Sequence, residues 1–246
     1  MNTVITSRLA ALRSVLKNQG ISAFIIPSTD PHLSEYVAPH WHSREWISGF
    51  NGSAGTAVVT LEKAGLWTDS RYFLQAAEQL QGTGIDLYKE MLPETPSIAQ
   101  FLTAELKAGD AVGIDATVFS TQGAKALKEE LDAAGIELKY IADPLATIWS
   151  DRPTIPQDPI VVHPLRYAGK PTEEKLSDIR QALAAKGAEA IFVSLLDEIA
   201  WTLNLRGSDV HCNPVFVAYL YIGREETILF TDAAKVPQET ADYLAS

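Results

Sequence analysis

The sequence predicts an α/β fold: two tandem copies of one domain, each with a mixed central sheet flanked by helices, the second copy cut short. Three observations lead there. The first is a self-similarity. Ser7–Arg13 followed by Gly20–Ile26 reappears as Glu174–Arg180 followed by Gly187–Val193, an offset of 167 (20 to 187). Trp46–Ser53 is echoed by Trp201–Ser208 at 155 (46 to 201), and Leu66–Asp69 by Leu229–Asp232 at 163 (66 to 229). Ordered anchors at so long a period mean a duplicated domain rather than a solenoid. The second is that helical apolar spacing alternates with short apolar runs, the pattern of helices packed on a sheet. The third is a proline-rich stretch between the copies. These place domain I at 1–143, a linker at 144–171 and domain II at 172–246. At the offset of the last anchor, 163, Ser246 matches a point near residue 83 (246 to 83), and patterned sequence continues beyond that point in the first copy, so the chain is expected to continue past Ser246 in a larger protein.

Taken in order, Ile5, Leu9, Leu12 and Leu16 give one apolar face to a helix over Thr3–Gln19, and Gly20 ends it. Ala23–Pro27 reads as a strand. Thr29-Asp30-Pro31 reads as a turn and helix start. Ser43–Ile47 is a further helical piece, followed by the glycine-rich loop Gly49–Gly55. Thr56–Leu61 and Ala64–Thr68 are two strands joined by a tight turn. A helix over Arg71–Leu80 sets Tyr72, Ala76 and Leu80 on one face. Strands at Ile85–Tyr88, Ala111–Ile114 and Ile136–Tyr140 alternate with helices at Ile98–Leu106 and Thr121–Ala134. From Asp143 to Pro171 lie six of the 13 prolines, which remove donors and restrict their neighbours, so extended connecting chain is expected. Domain II opens with Thr172 as N-cap, Glu173 and Glu174 in the first turn, and a buried face of Leu176, Ile179 and Leu183 closed by Gly187. Strands follow at Ala190–Ser194, Pro214–Ile222 and Thr227–Thr231, with a helix start at Asp197-Glu198.

Composition narrows the class. Hydrophobic content of 46% and charged content of 21% are ordinary for a globular chain. The net charge of −11, with no basic run, argues against nucleic acid as a partner. No apolar stretch reaches the ~18 residues of a membrane helix, and Met1–Arg8 lacks the pattern of a signal peptide. The one cysteine, Cys212, excludes an internal disulfide and suits a reducing, cytoplasmic setting.

No motif carries a complete chemistry. His40-Trp41-His42 offers two possible metal ligands where zinc needs three or four; the alternative is a surface loop. Gly49–Gly55 could cradle a phosphate, but it lacks the Lys-Ser/Thr ending of a P-loop and precedes a strand rather than a helix. The competing reading is a tight turn into that strand. Ser53 is not in a nucleophile elbow, because Asn51 stands where glycine is required. Asp69 beside Arg71 reads as a helix cap, and Cys212 beside His211 is no dyad without partners in space.

Longer strings carry a resemblance. Arg44–Thr60, Leu66–Ala77, Ile148–Pro153, Leu196–Val210 and Asn213–Phe216 resemble the aminopeptidase P family, in particular its three-domain cytosolic form, the Xaa-Pro aminopeptidases. The resemblance covers the whole chain and implies two creatinase-type N-terminal domains. It also implies a C-terminal "pita-bread" domain in which two Mn²⁺ ions, held by two Asp, one His and two Glu, support removal of an N-terminal residue that precedes proline. None of those metal motifs occurs in this sequence, so the chain is expected to be non-catalytic and to bind no metal. By the same resemblance the N-terminal domains support a homodimer and wall the active-site entrance. The candidates for the entrance, or for contact with the chain's own catalytic domain, are Phe50, Asn51, Ser53, Arg71, Arg206 and Asp209. For Arg71 and Arg206, ion pairing within their own domain is the competing reading. Two other functions stand as alternatives: a stand-alone α/β binding or scaffold protein without peptidase activity, and an independent hydrolase using Ser53 or a metal at His40 and His42.

Overall fold

The computed structural model describes residues 2–245; Met1 and Ser246, the outer limits of the two predicted domains, lie outside the described residues. The chain divides into two compact units, one ending at Pro153 and one beginning at Thr154.

The first unit contains α1 (Thr3–Asn18), β1 (Ala23–Ile26), α2 (Ser43–Ser48), β2 (Thr56–Thr60), β3 (Ala64–Thr68), α3 (Phe73–Gln79), β4 (Asp86–Lys89), α4 (Ile98–Glu105), β5 (Ala111–Ile114), α5 (Thr121–Ala133) and β6 (Glu137–Tyr140). Its six strands run in the order β4-β3-β2-β1-β5-β6. β2 is antiparallel to both neighbours, while β3/β4, β1/β5 and β5/β6 are parallel. The sheet is therefore mixed, as the sequence predicts.

Alternation along the strands supplies two cores. Phe24 and Ile26 point to the face covered by α1, α2 and α3, where Ile5, Leu9, Leu12, Leu16, Ile47 and Ala76 are buried. Ala23 and Ile25 point to the other face, closed by Phe101 and Leu102 of α4 and by Ala124 and Leu131 of α5. The four apolar residues of α1 are the ones their spacing predicts, and burying each contributes about 1.5–3 kcal/mol. Gly20 follows the helix at φ 65°, where glycine carries no Cβ penalty.

Several local expectations are corrected. Thr29-Asp30-Pro31 makes a turn but starts no helix: Asp30 Oδ1 accepts from the amides of His32 (3.0 Å) and Ser34 (2.9 Å), closing a side-chain-capped turn. Asp69 likewise accepts from the Arg71 amide (3.0 Å) and does not cap α3, whose N-cap position is Tyr72. The proline-rich stretch is not all extended connecting chain. Pro144–Thr147 forms a single 3₁₀ turn that drives Leu145 into the first core, and Trp149 stacks on Trp46 at 5.2 Å. Proline removes hydrogen-bond donors but leaves the apolar neighbours free to pack.

The second unit contains β7 (Val161–Val162), α6 (Leu165–Ala168), α7 (Thr172–Ala185), β8 (Ile191–Val193), α8 (Leu196–Thr202), β9 (Leu205–Arg206), β10 (Tyr219–Ile222), β11 (Thr227–Phe230) and α9 (Gln238–Ala245). β8, β10 and β11 form an antiparallel sheet in the order β11-β10-β8, and β7 pairs with β9. β8, β10 and β11 repeat β1, β2 and β3, down to the antiparallel registers. Thr172 is the first residue of α7 rather than its cap. Pro171 takes the cap position, and Thr172 Oγ1 bonds to Tyr243 Oη at 2.8 Å. Leu176, Ile179 and Leu183 are only half-buried, because one sheet of three strands gives α7 less to cover. The predicted Pro214–Ile222 strand is regular only from Tyr219. Upstream, the Val217 amide donates to Asp209 Oδ2 (2.6 Å) instead of to a strand.

The repeat exposes a difference between the two sheets. Leu220 and Ile222 are fully buried on the side of α7 and α8. The opposite face carries Phe192, Tyr219, Tyr221, Ile228 and Phe230 in cross-strand register. Phe192 stacks on Tyr219 at 5.5 Å, yet Phe192 is 59% and Phe230 49% exposed. In the first unit α4 and α5 cover the corresponding face.

Candidate functional site

Four of the six candidates named from the sequence, Phe50, Asn51, Ser53 and Arg71, lie in or next to the loop Phe50–Gly55. α2 delivers the loop through Gly49, which adopts φ 75° and whose amide donates to Glu45 O at 2.7 Å. Phe50 turns inward and is fully buried. Arg44, one turn earlier on α2, is buried beneath the loop. Its Nη1 donates to the Phe50 carbonyl, its Nη2 to the Gly52 carbonyl and its Nε to Ser28 Oγ (3.1 Å). The guanidinium carbon also sits 4.9 Å from the centre of the Phe50 ring. Burial pushes the Arg44 pKa down to about 10, with Glu45 and Tyr72 opposing it, so the group stays charged at neutral pH. Carbonyl oxygens, not a carboxylate, satisfy this charge.

Packing holds the rest of the loop. A Cβ on Gly52 would lie 2.3 Å from the Phe50 ring and 2.7 Å from the Tyr72 ring, so only glycine fits there. Ser53 Oγ bonds to Tyr72 Oη at 2.7 Å. The Ala54 carbonyl accepts from Thr68 Oγ1 and the Gly55 carbonyl from Ser28 Oγ, both at 2.6 Å. Asn51 alone projects outward. Its Oδ1 accepts from Gln75 (2.7 Å) and Gln79 (2.8 Å), and its amide donates to Gln79 Oε1 (3.1 Å). Ser53 has no histidine or acid beside it in these contacts, and its hydroxyl serves the Tyr72 pair rather than a nucleophile relay.

Arg71 lies next to Tyr72, its guanidinium carbon 5.2 Å from that ring. It grips Asp69 with two bonds, Nε to Oδ1 (2.9 Å) and Nη2 to Oδ2 (2.8 Å). The pairing raises the Arg71 pKa and lowers that of Asp69, and Arg71 remains 58% exposed. The loop and α3 thus present Asn51, Ser53 and Arg71 along one rim, with Phe50 as its buried anchor.

Arg206 and Asp209 belong to the second unit. Arg206 Nη1 donates to the carbonyls of Ala200 (2.9 Å) and Leu205 (2.8 Å). Asp209 is buried against Lys235 as an ion pair, with its Oδ2 also accepting from the Val217 amide. Its Oδ1 has no partner among the described residues. The sequence reading holds Arg44 and Gln75 only as members of the matching strings, gives Tyr72 no more than a place on a helix face, and does not single out Gln79. The signals were a basic residue one turn before a glycine-rich loop, and two glutamines four apart on the helix facing it.

His40 and His42 do not converge. His40 Nδ1 lies 2.7 Å from Pro153 O, whereas His42 bonds to Val37 O (3.1 Å) and Glu45 (3.2 Å). Among the described residues no group of three or more His, Cys, Asp or Glu is placed to hold a metal ion, so the residues present do not fit a dinuclear metal centre. Nor is any described helix long and apolar enough to cross a membrane.

Known proteins share this architecture. Residues 8–148 and 151–246 each match a family described as the creatinase/prolidase N-terminal domain. A probable Xaa-Pro aminopeptidase P from Pyricularia oryzae is 44% identical over 248 residues, covering 99% of this chain and 40% of that protein. Aminopeptidase P2 of Arabidopsis thaliana is 44% identical, covering 98% of this chain and 34% of its own length. The crystal structure of an X-prolyl aminopeptidase from Caenorhabditis elegans, described as a cytosolic enzyme with a di-nuclear active site, superposes with a TM-score of 0.92. The two are 33% identical, over 98% of this chain and 41% of that one. The chain thus spans well under half the length of the relatives it matches, and corresponds to their N-terminal region. It belongs to the creatinase/prolidase N-terminal domain family, of which it contains two tandem members.

Proposed function

We propose that this chain is the non-catalytic N-terminal region of a metal-dependent Xaa-Pro aminopeptidase acting on peptides with proline at the second position. The observation that carries the reading is the 33–44% identity across nearly the whole chain to proteins more than twice as long that bear that name or activity. The half-covered sheet of the second unit agrees with it, since Phe192 and Phe230 face solvent where α4 and α5 cover the first unit's sheet. The catalytic chemistry, with its two Mn²⁺ ions, belongs to a C-terminal domain outside these residues.

In this reading the chain works in the cytoplasm as part of a homodimer. The rim formed by Asn51, Ser53 and Arg71 lines the entrance to a catalytic pocket, and Arg206 and Asp209 stabilise the second domain. Arg71 is held half-neutralised by Asp69, so it guides a peptide by hydrogen bonding more than by net charge. The test is kinetic, on the polypeptide extended through a catalytic domain. Asn51→Ala and Arg71→Ala are expected to raise KM for an Xaa-Pro tripeptide with kcat little changed, the mark of lost uniform binding. Unchanged KM in both variants would remove the loop from the entrance. Sedimentation of the same polypeptide reads the dimer.

A further inference from the structure

The first unit holds a polar cleft that no residue of the Phe50–Gly55 loop lines and that the function above does not use. It opens beyond the carboxyl ends of β1 and β5, the adjacent parallel pair. From β1 the chain runs on to α2, whose Ile47 packs on one face of the sheet. From β5 it runs to α5, whose Leu131 packs on the other. Connections that leave neighbouring parallel strands for opposite faces create a crevice where small ligands bind in open α/β sheets. Here the crevice measures about 150 Å³. That is well below the ~300 Å³ at which drug-sized pockets begin, so an occupant must be small.

The polar lining is Thr29, His40, Ser43, Asp115, Thr117, Asp143 and Arg152, over an apolar floor that includes Ile26 and Trp41. Arg152 is the donor. Its side chain is 14% exposed and makes three bonds: Nε to His40 O (2.8 Å), Nη1 to Asp143 Oδ2 (2.6 Å) and Nη2 to Ser43 Oγ (3.2 Å). A guanidinium carries five N–H groups, so two remain, one on each Nη, for a carboxylate. Asp143 is already satisfied, because its other oxygen accepts from the Leu145 amide (2.9 Å). Asp115 is not: Oδ1 accepts from Thr117 N (2.9 Å) and Oγ1 (2.8 Å), and Oδ2 is left over. His40 adds an acceptor. Burial lowers its pKa, so it is neutral, and its Nδ1–H donates to the Pro153 carbonyl, which leaves the Nε2 lone pair. Arg152 and Asp143 already pair, so the cleft offers two spare guanidinium N–H groups at one place and the spare Asp115 oxygen, with its negative charge, at another. A zwitterion meets both, whereas a simple anion or a simple cation meets only one.

We propose that this cleft binds a free α-amino acid with a small side chain, its carboxylate on Arg152 and its ammonium on Asp115. The site lies wholly in the first unit and does not depend on the catalytic reading. The test is an NMR titration of the ¹⁵N-labelled chain with L-alanine, and separately with acetate and with ethylammonium. L-Alanine is expected to shift the amides of residues 115–118 and the Arg152 Nε signal, with acetate and ethylammonium about tenfold weaker or more, since each forfeits one charge-assisted contact. Asp115→Asn keeps the Oδ1 acceptor that closes its turn but loses the charge. It should therefore leave the rest of the spectrum in place and weaken alanine binding about tenfold. Three results would overturn the assignment: no shifts at tens of millimolar alanine, acetate binding as well as alanine (an anion site only), or an Asp115→Asn chain that binds unchanged.

Discussion

The Arg44 guanidinium donates to the main-chain carbonyl of Phe50 while also lying 4.9 Å from the centre of that residue's ring, so one buried side chain fixes both the backbone and the anchor of the exposed loop. The loop's shape is set from inside the domain, and each rim side chain is in turn held by a neighbour: Asn51 by Gln75 and Gln79, Ser53 by Tyr72 and Arg71 by Asp69.

Removing that guanidinium leaves the Phe50 and Gly52 carbonyls short of a donor, and each orphaned buried group costs about 1–3 kcal/mol. Arg44→Met is expected to destabilise the chain by ~2–5 kcal/mol in urea unfolding. Arg44→Lys should recover only part of this, because an ammonium cannot span both carbonyls. Equal stability of Arg44→Lys and wild type would show that a point charge suffices.

Two glycines separate steric from conformational demand. Gly52→Ala pushes a methyl to 2.3 Å from the Phe50 ring and should cost about 1–3 kcal/mol through overpacking. Gly84→Ala meets nothing within 4 Å and carries only the cost of φ 80°, about 1 kcal/mol. Comparing the two urea midpoints checks the ranking; Gly84→Ala as the more damaging change would contradict it.

Acid stability should report Asp30. Burial alone would raise its pKa, but hydrogen bonds from His32 and Ser34 outweigh burial and hold it below the usual carboxylate value. A depressed folded pKa means the stabilisation is full above the unfolded value of about 3.9 and is lost as pH falls through the folded one. Melting temperatures between about pH 5 and 2 should therefore fall less steeply for Asp30→Asn than for wild type. Parallel slopes would mean that Asp30 does not contribute to acid unfolding.

The open sheet face of the second unit predicts a solubility effect. Phe192 and Phe230 are 59% and 49% exposed, so replacing both with threonine, a good strand former, should change stability by less than about 1 kcal/mol. The same change should lower binding of a hydrophobic dye and self-association at high concentration. A loss of several kcal/mol would mean that the face is packed in solution.

Much of the fold was legible because the first unit obeys local rules. Helical spacing named all four buried residues of α1, and β3 and β5 fall where the apolar runs place them. What sequence missed came from tertiary bonds. Asp30 looks like a helix start until Ser34 and His32 fold back on it. Pro214–Ala218 looks like a strand until the buried Asp209 takes the Val217 amide. Thr172 looks like a cap until Tyr243, more than seventy residues away, claims its hydroxyl. The rim itself was half visible: Phe50, Asn51, Ser53 and Arg71 were named. Arg44, which organises them, reads in sequence as one more charge on a short helix.

The most direct measurement of the central claim is peptide cleavage by this 246-residue chain, with added Mn²⁺ and an Xaa-Pro substrate, beside a polypeptide extended through a catalytic domain. The account predicts that only the extended polypeptide releases the N-terminal residue. Cleavage by the short chain alone would contradict it and place the chemistry within these residues.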